Sequence, residues 1–254
     1  MVMSTRRAFT LLELVVVIGV ILVLMSLVLA VSTIVIQQAE SRQVEATFAN
    51  LESAVDEYEE AIGRRLTYED RTDQGGVPKN WDIPFNPSFS YAALESPYNS
   101  ATSGYTCNCN SSTDTHGWEK YIVHLLSIMD RTDAASEIVA RIDPNLFVAV
   151  KTSSGSPLPQ GHALSSVVDP WGNAIAVVFP GRRWIEGDSQ TRDTDGTIRT
   201  YLENKIGICK NAKVLFVSAG PDGDIGCWQC VNNSTSFRYQ SLLDNIYSYA
   251  PEGQ

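Results

Sequence analysis

The hydrophobic pattern of this chain changes once, sharply. From Leu14 to Ile36 there is no charged residue, and the run is almost wholly Val, Ile, Leu, Met and Ala. About 23 such residues are enough to cross a bilayer as a helix. Past Ile36 the pattern becomes periodic. Val44, Phe48, Leu51, Val55, Tyr58 and Ile62 recur at spacings of three and four, with Glu45, Glu52, Asp56, Glu57, Glu59 and Glu60 mostly off the stripe. That spacing predicts an amphipathic helix that lays one apolar face on a core. Gly63 supplies a stop signal. Phe9 to Ile62 are therefore expected to form one helix of about 80 Å, its first part apolar all round and its second part striped.

Beyond it the signals are shorter. Residues from Leu66 to about Ser112 are rich in Pro, Gly, Asn and Ser and read as irregular. Trp118–Met129 and Asp133–Ile142 have helical patterns. Phe147–Val150, Ile175–Phe179 and Val214–Val217 are β-rich. Turn signals stand at Asp169-Pro170-Trp171-Gly172-Asn173, at Pro180-Gly181 and at Gly220-Pro221-Asp222-Gly223.

Charge and cysteine content narrow the function classes. A net charge of −10 over 254 residues gives no basic footprint for nucleic acid, so no nucleic-acid partner is expected. All five cysteines (Cys107, Cys109, Cys209, Cys227 and Cys230) lie after the apolar run. In an exported domain they are disulfide candidates, and the sequence does not choose the pairing. A zinc site from Cys107-x-Cys109 and Cys227-x-x-Cys230 is the alternative. Catalytic motifs are missing: there is no G-x-S-x-G, no H-E-x-x-H and no P-loop, and His116, His124 and His162 are scattered. No enzymatic activity is expected.

The amino terminus is not built like a secretory signal, in which cleavage follows the apolar core. Met1 to Ala8 is short and polar, with Arg6 and Arg7, and the apolar run comes after it. The arginine pair keeps the amino terminus in the cytoplasm and sends everything after Ile36 outward. Glu13 is a carboxylate just inside the apolar helix, a placement that costs roughly 3 kcal/mol unless paired and so marks function.

The segment Arg6-Arg7-Ala8-Phe9-Thr10-Leu11-Leu12-Glu13-Leu14-Val15-Val16-Val17-Ile18 resembles the processing motif of type IV pilins and pseudopilins. The resemblance implies cleavage by a prepilin peptidase between Ala8 and Phe9, methylation of the new amine, and pairing of Glu13 with the amine of a neighbouring subunit during assembly. Ala8 stands where the family usually has Gly, and Ala30 where many members have Pro. Asp169-Pro170-Trp171-Gly172-Asn173 resembles a signature of the major pseudopilin of type II secretion. Ser218-Ala219-Gly220-Pro221-Asp222-Gly223, with Asp244-Asn245-Ile246, is similar to that family's calcium loop. The match covers roughly residues 6–65 and 167–250.

By that resemblance the fold is α+β: a long N-terminal helix packed on a small antiparallel sheet. Residues 1–8 are a leader, 9–36 a transmembrane and filament-core helix, 37–63 its amphipathic continuation, and 64–254 a periplasmic head. About 84–168 reads as an insertion carrying loops and helices. Calcium is the implied cofactor, with Asp222, Asp244 and Asn245 at the ligand region and Asp224 as a possible substitute ligand. Pro-Asp-Gly also makes a good turn without metal. Asp193-Thr194-Asp195-Gly196 lacks the first and twelfth ligands of an EF-hand loop and reads as a turn.

The implied partners are further copies of the chain, other pilin-like subunits, the peptidase and an inner-membrane assembly platform. The implied location is the bacterial inner membrane, then a filament. Two rival functions remain at this stage: a minor pilin whose head binds a ligand in adhesion or DNA uptake, and a membrane-anchored enzyme.

Overall fold

A computed structural model of the chain describes residues 11–66, 119–149, 165–184, 194–200, 202–225 and 243–251. The fold is α+β, a set of helices with small antiparallel sheets. The chain divides into two units, residues 1–43 and 44–254. The first helix, α1 (Leu11–Ile62), runs through both.

In the first unit, every side chain described from Leu11 to Ala39 is exposed, among them fifteen large apolar ones from Leu11 to Ile36. The side chains of residues 27–31, 33 and 34 lie outside the described set. Among the described residues no helix is long and apolar enough to cross a membrane.

In the second unit, α1 presents the stripe that the sequence predicts. Val44, Phe48, Leu51, Val55 and Tyr58 are buried, Ile62 is partly so, and Thr47 and Ala54 complete the face. The helix stops where glycine permits it. Gly63 adopts φ +69, and the N–H groups of Gly63 and Arg64 turn back to the carbonyls of Glu60 and Glu59. A left-handed residue here lets the last turn satisfy its own carbonyls.

The rest of this unit supplies what the stripe packs on. In chain order come α2 (Glu119–Met129), α3 (Asp133–Val139), β1 (Phe147–Ala149), β2 (Ser165–Val167), β3 (Ala176–Val178), β4 (Arg182–Arg183), β5 (Thr197–Ile198), α4 (Glu203–Ile206), β6 (Leu215–Ser218) and β7 (Ile246–Tyr247). The central sheet has the order β3-β6-β7, all antiparallel, with Val177 opposite Phe216 and Val217 opposite Tyr247. β1-β2 and β4-β5 form two further antiparallel ribbons. The Phe48 ring stacks on Phe216 with centroids 6.2 Å apart, joining α1 to the central strand.

The helices between residues 118 and 142 fall close to where their patterns place them. α2 is apolar on more than one side: Tyr121, Ile122, Val123, Leu125, Leu126, Ile128 and Met129 are all buried. It contacts β2, β3 and α3, and Tyr121 meets Phe179 edge-on at 6.1 Å. The helical part of the 84–168 stretch is thus central to the core of the head, while residues 67–118 lie outside the described set. A helix buried on several sides reads as apolar all round, and α2 has that composition.

Candidate cation-binding site

Two segments that the sequence reads as separate turns, about fifty residues apart, meet beside β6. The first is Asp169–Asn173, between β2 and β3. Its Asp169 carboxylate is buried and serves as the hub of the turn. Oδ1 accepts from the N–H of Trp171 (3.1 Å) and of Asn173 (2.8 Å). Oδ2 accepts from Ser218 Oγ at 2.7 Å and from Asn173 Nδ2 at 3.3 Å. Burial raises the Asp169 pKa above the ordinary carboxylate value, and these donors oppose the shift. Asp169 has no oxygen left over for a ligand.

The second segment is the turn after β6. The same Asn173 amide also donates to the Gly220 carbonyl at 2.8 Å, and the Gly220 N–H donates to Ser218 Oγ at 3.2 Å. Gly220 has φ +68, and a Cβ there would lie 2.6 Å from the Asp244 carbonyl oxygen. Glycine is therefore required twice over, for its dihedral and for close approach. Asp222 accepts from the Asp224 N–H at 2.8 Å, as an Asp in a turn commonly does.

Asp244 and Asn245, just before β7, complete the neighbourhood. Asp244 has its pKa raised, first by burial and then by the negative charges of Asp222 and Asp224. The Asn245 amide donates to the Ile225 carbonyl (2.7 Å) and the Tyr247 hydroxyl (3.2 Å), which fixes which way its oxygen faces. Among the described residues, three buried side-chain oxygens have no hydrogen-bond partner, Ser166 Oγ, Asp244 Oδ1 and Asn245 Oδ1, and the last two stand on consecutive residues. Adjacent acceptors left without donors, in the field of three carboxylates, are what a hard cation with oxygen ligands would satisfy.

Among the described residues, no three His, Cys, Asp or Glu side chains are grouped so as to hold a metal ion by themselves. Calcium does not require one, because amide and carbonyl oxygens count toward its six to eight ligands. Asp222, Asp224, Asp244 and Asn245 carry oxygens of the type such an ion takes, and residues 226–242 lie outside the described set.

The remaining sequence candidates are placed as follows. Ala8 and Phe9 lie outside the described residues, and Glu13 sits in the first turn of α1 with its side chain exposed. Cys107, Cys109, Cys227 and Cys230 lie outside them too. Cys209, one of the five disulfide candidates, is a buried free thiol, 3.4 Å from the Val178 carbonyl, with its pKa pushed up by burial. His124 is buried within α2. Asp195 accepts from the backbone and hydroxyl of Thr197 at the start of β5, with Gly196 between them at φ +81; its partner candidate Asp193 lies outside the described residues.

One structural carboxylate escapes the sequence reading altogether. Glu203 is 2% exposed, and it accepts from the N–H of Thr200 (2.9 Å) and of Cys209 (3.1 Å). Thr200 Oγ1 accepts in return from the Glu203 N–H at 3.2 Å. This reciprocal exchange is a capping box, and Thr200-Tyr201-Leu202-Glu203 carries its T-x-x-E spelling. The signal was there, on a helix too short to announce itself by periodicity.

Comparison of the chain with known protein families, with curated proteins and with solved structures finds no match.

Proposed function

We propose that this chain is a structural subunit of a type II secretion pseudopilus or a related type IV pilus-like filament, with no enzymatic role of its own. What carries the reading is the change of character within α1. From residue 44 onward the helix buries one stripe; before it, fifteen large apolar side chains are exposed. Burying a Val, Leu or Ile is worth about 1.5–3 kcal/mol each, so leaving this surface in water forgoes on the order of tens of kcal/mol. The apolar half needs lipid, or other helices like itself.

The Arg6–Ile18 motif says which. A basic pair, a cut before Phe9 and a carboxylate at Glu13 at the head of an apolar helix suit a subunit that waits in the inner membrane and is later extracted into a filament. In this reading Glu13 registers each incoming subunit against the amine of its neighbour. The head forms the filament surface. A calcium ion held by Asp222, Asp224, Asp244 and Asn245 supplies positive charge and ligand bonds that tie the loop after β6 to the start of β7. The motor that drives extraction belongs to other proteins.

The test is Glu13→Ala in cells that assemble the filament. Subunit in the sheared, high-molecular-weight fraction is expected to fall at least about tenfold while the membrane pool persists, since an intramembrane carboxylate is kept for a partner. Normal recovery from the sheared fraction would remove the filament reading. An enzyme activity in a chain that never assembles would favour the anchored-enzyme alternative.

A further inference from the structure

The Asp169–Asn173 turn contributes no orphaned oxygen to the cluster, yet it is built into the side of it. We propose that Asp169 and Asn173 are positioning residues for the Asp222–Asn245 cation site, acting through Gly220 and Ser218. This rests on the calcium reading above and extends it to residues that touch no ion.

The argument follows the hydrogen bonds. Asp169, Asn173 and Ser218 are 2%, 3% and 0% exposed, so water does not compete for their contacts. Asp169 holds the Asn173 amide and the Ser218 hydroxyl at once. Those two groups then take both polar ends of Gly220: the Asn173 amide its carbonyl, and the Ser218 hydroxyl its N–H. Gly220 is thereby fixed, and its Cα lies against the Asp244 backbone so closely that no side chain fits between them. Asp244 carries one orphaned oxygen and is covalently followed by Asn245, which carries another. The chain of contact from Asp169 to the ligand oxygens is therefore short and without slack.

This arrangement also explains why the turn needs its own charge. A neutral turn would leave Ser218 and Asn173 free to reorient. One carboxylate accepting from four donors selects a single arrangement of both, and that arrangement presents Gly220 in the left-handed conformation that admits Asp244. Outer-shell hydrogen bonds of this kind orient the groups that ligate a metal and change its affinity by roughly 10–100-fold when removed.

The experiment is calorimetric titration of calcium chloride into the full chain in detergent at neutral pH, with magnesium chloride as the control ion. Asn173→Ala, Ser218→Ala and Gly220→Ala are compared with wild type, and each is also melted with and without calcium. Asn173→Ala and Ser218→Ala are expected to weaken calcium binding roughly tenfold or more and to shrink the calcium-induced rise in Tm. Gly220→Ala is expected to abolish both. Ile138→Ala, on α3, serves as a destabilised control and should lower Tm equally in both conditions with an unchanged Kd. Ser218→Ala deletes a single hydroxyl and keeps the result readable if Asn173→Ala fails to fold.

Unchanged calcium affinity in Asn173→Ala and Ser218→Ala, beside a wild type that binds, would overturn the positioning role alone and leave a purely structural turn. No heat of calcium binding in the wild type would overturn the calcium reading and this inference with it.

Discussion

The two halves of α1 are the same secondary structure with two different patterns of burial. Between Leu11 and Ile36 the described apolar side chains are all exposed. Between Val44 and Tyr58 they form one stripe, buried to 6% exposure or less, while Glu45, Asp56 and Glu60 stay outside. Periodicity is informative only when a helix has two kinds of neighbour. A helix with water on one side and a core on the other must sort its residues, whereas a helix whose whole surroundings are apolar has nothing to sort. Under the proposed filament reading, the loss of period at the N-terminal end is itself the signal.

That comparison is open to direct attack. The largest effect is expected from Phe48→Ala, which removes the ring stacked on Phe216 and leaves a cavity between α1 and β6. It should lower the unfolding free energy of the head by about 3–5 kcal/mol in chemical denaturation of the detergent-solubilised chain. Val17→Ala, in the first half, should leave that transition within about 0.5 kcal/mol of wild type, since Val17 is exposed and belongs to no core of the head. Equal losses from the two substitutions would mean that the halves do not differ in the way described.

A smaller effect separates the halves by pH. The head contains carboxylates whose pKa values are raised in the folded state: Asp169 and Glu203 by burial, and Asp244 by burial and by its acidic neighbours. A raised native pKa means that the folded head binds protons more readily than the unfolded chain. Its contribution to stability is complete below the unfolded carboxylate value, near about 4, and is lost as pH rises through the raised native values. Denaturation midpoints of the head should therefore fall as pH increases through that window. Glu203→Gln should flatten part of the slope while costing about 1–3 kcal/mol, because its amide turns a donor toward the backbone N–H groups that the carboxylate now accepts. Phe48→Ala should shift the whole curve and leave its slope alone. A slope unchanged by Glu203→Gln would show that the buried carboxylate is not what titrates.

The same distinction explains what could be read from the chain in advance. The helix, its stop at Gly63, α2, α3 and the strands near Phe147, Ala176 and Leu215 were legible because each depends on its own period or its own turn residues. Asp222, Asp244 and Asn245 were legible as candidates because a motif groups them. The bond from Asn173 to Gly220 was not, because neither turn spells out its partner; only the pairing of β3 with β6 brings them together. β4, β5 and β7 are two residues each, too short to show alternation. Cys209 looked like its four fellows in the sequence. Its enclosure beside β3 and Tyr249 is a property of tertiary packing that cysteine spacing does not encode.

The measurement that bears most directly on the central claim is intact mass and amino-terminal sequencing of the chain recovered from membranes and from sheared surface material. The account predicts a chain that begins at methylated Phe9 and is present in the sheared, high-molecular-weight fraction. A chain that still carries Met1 to Ala8 and stays in the membrane would contradict it, leaving a head on a simple anchor.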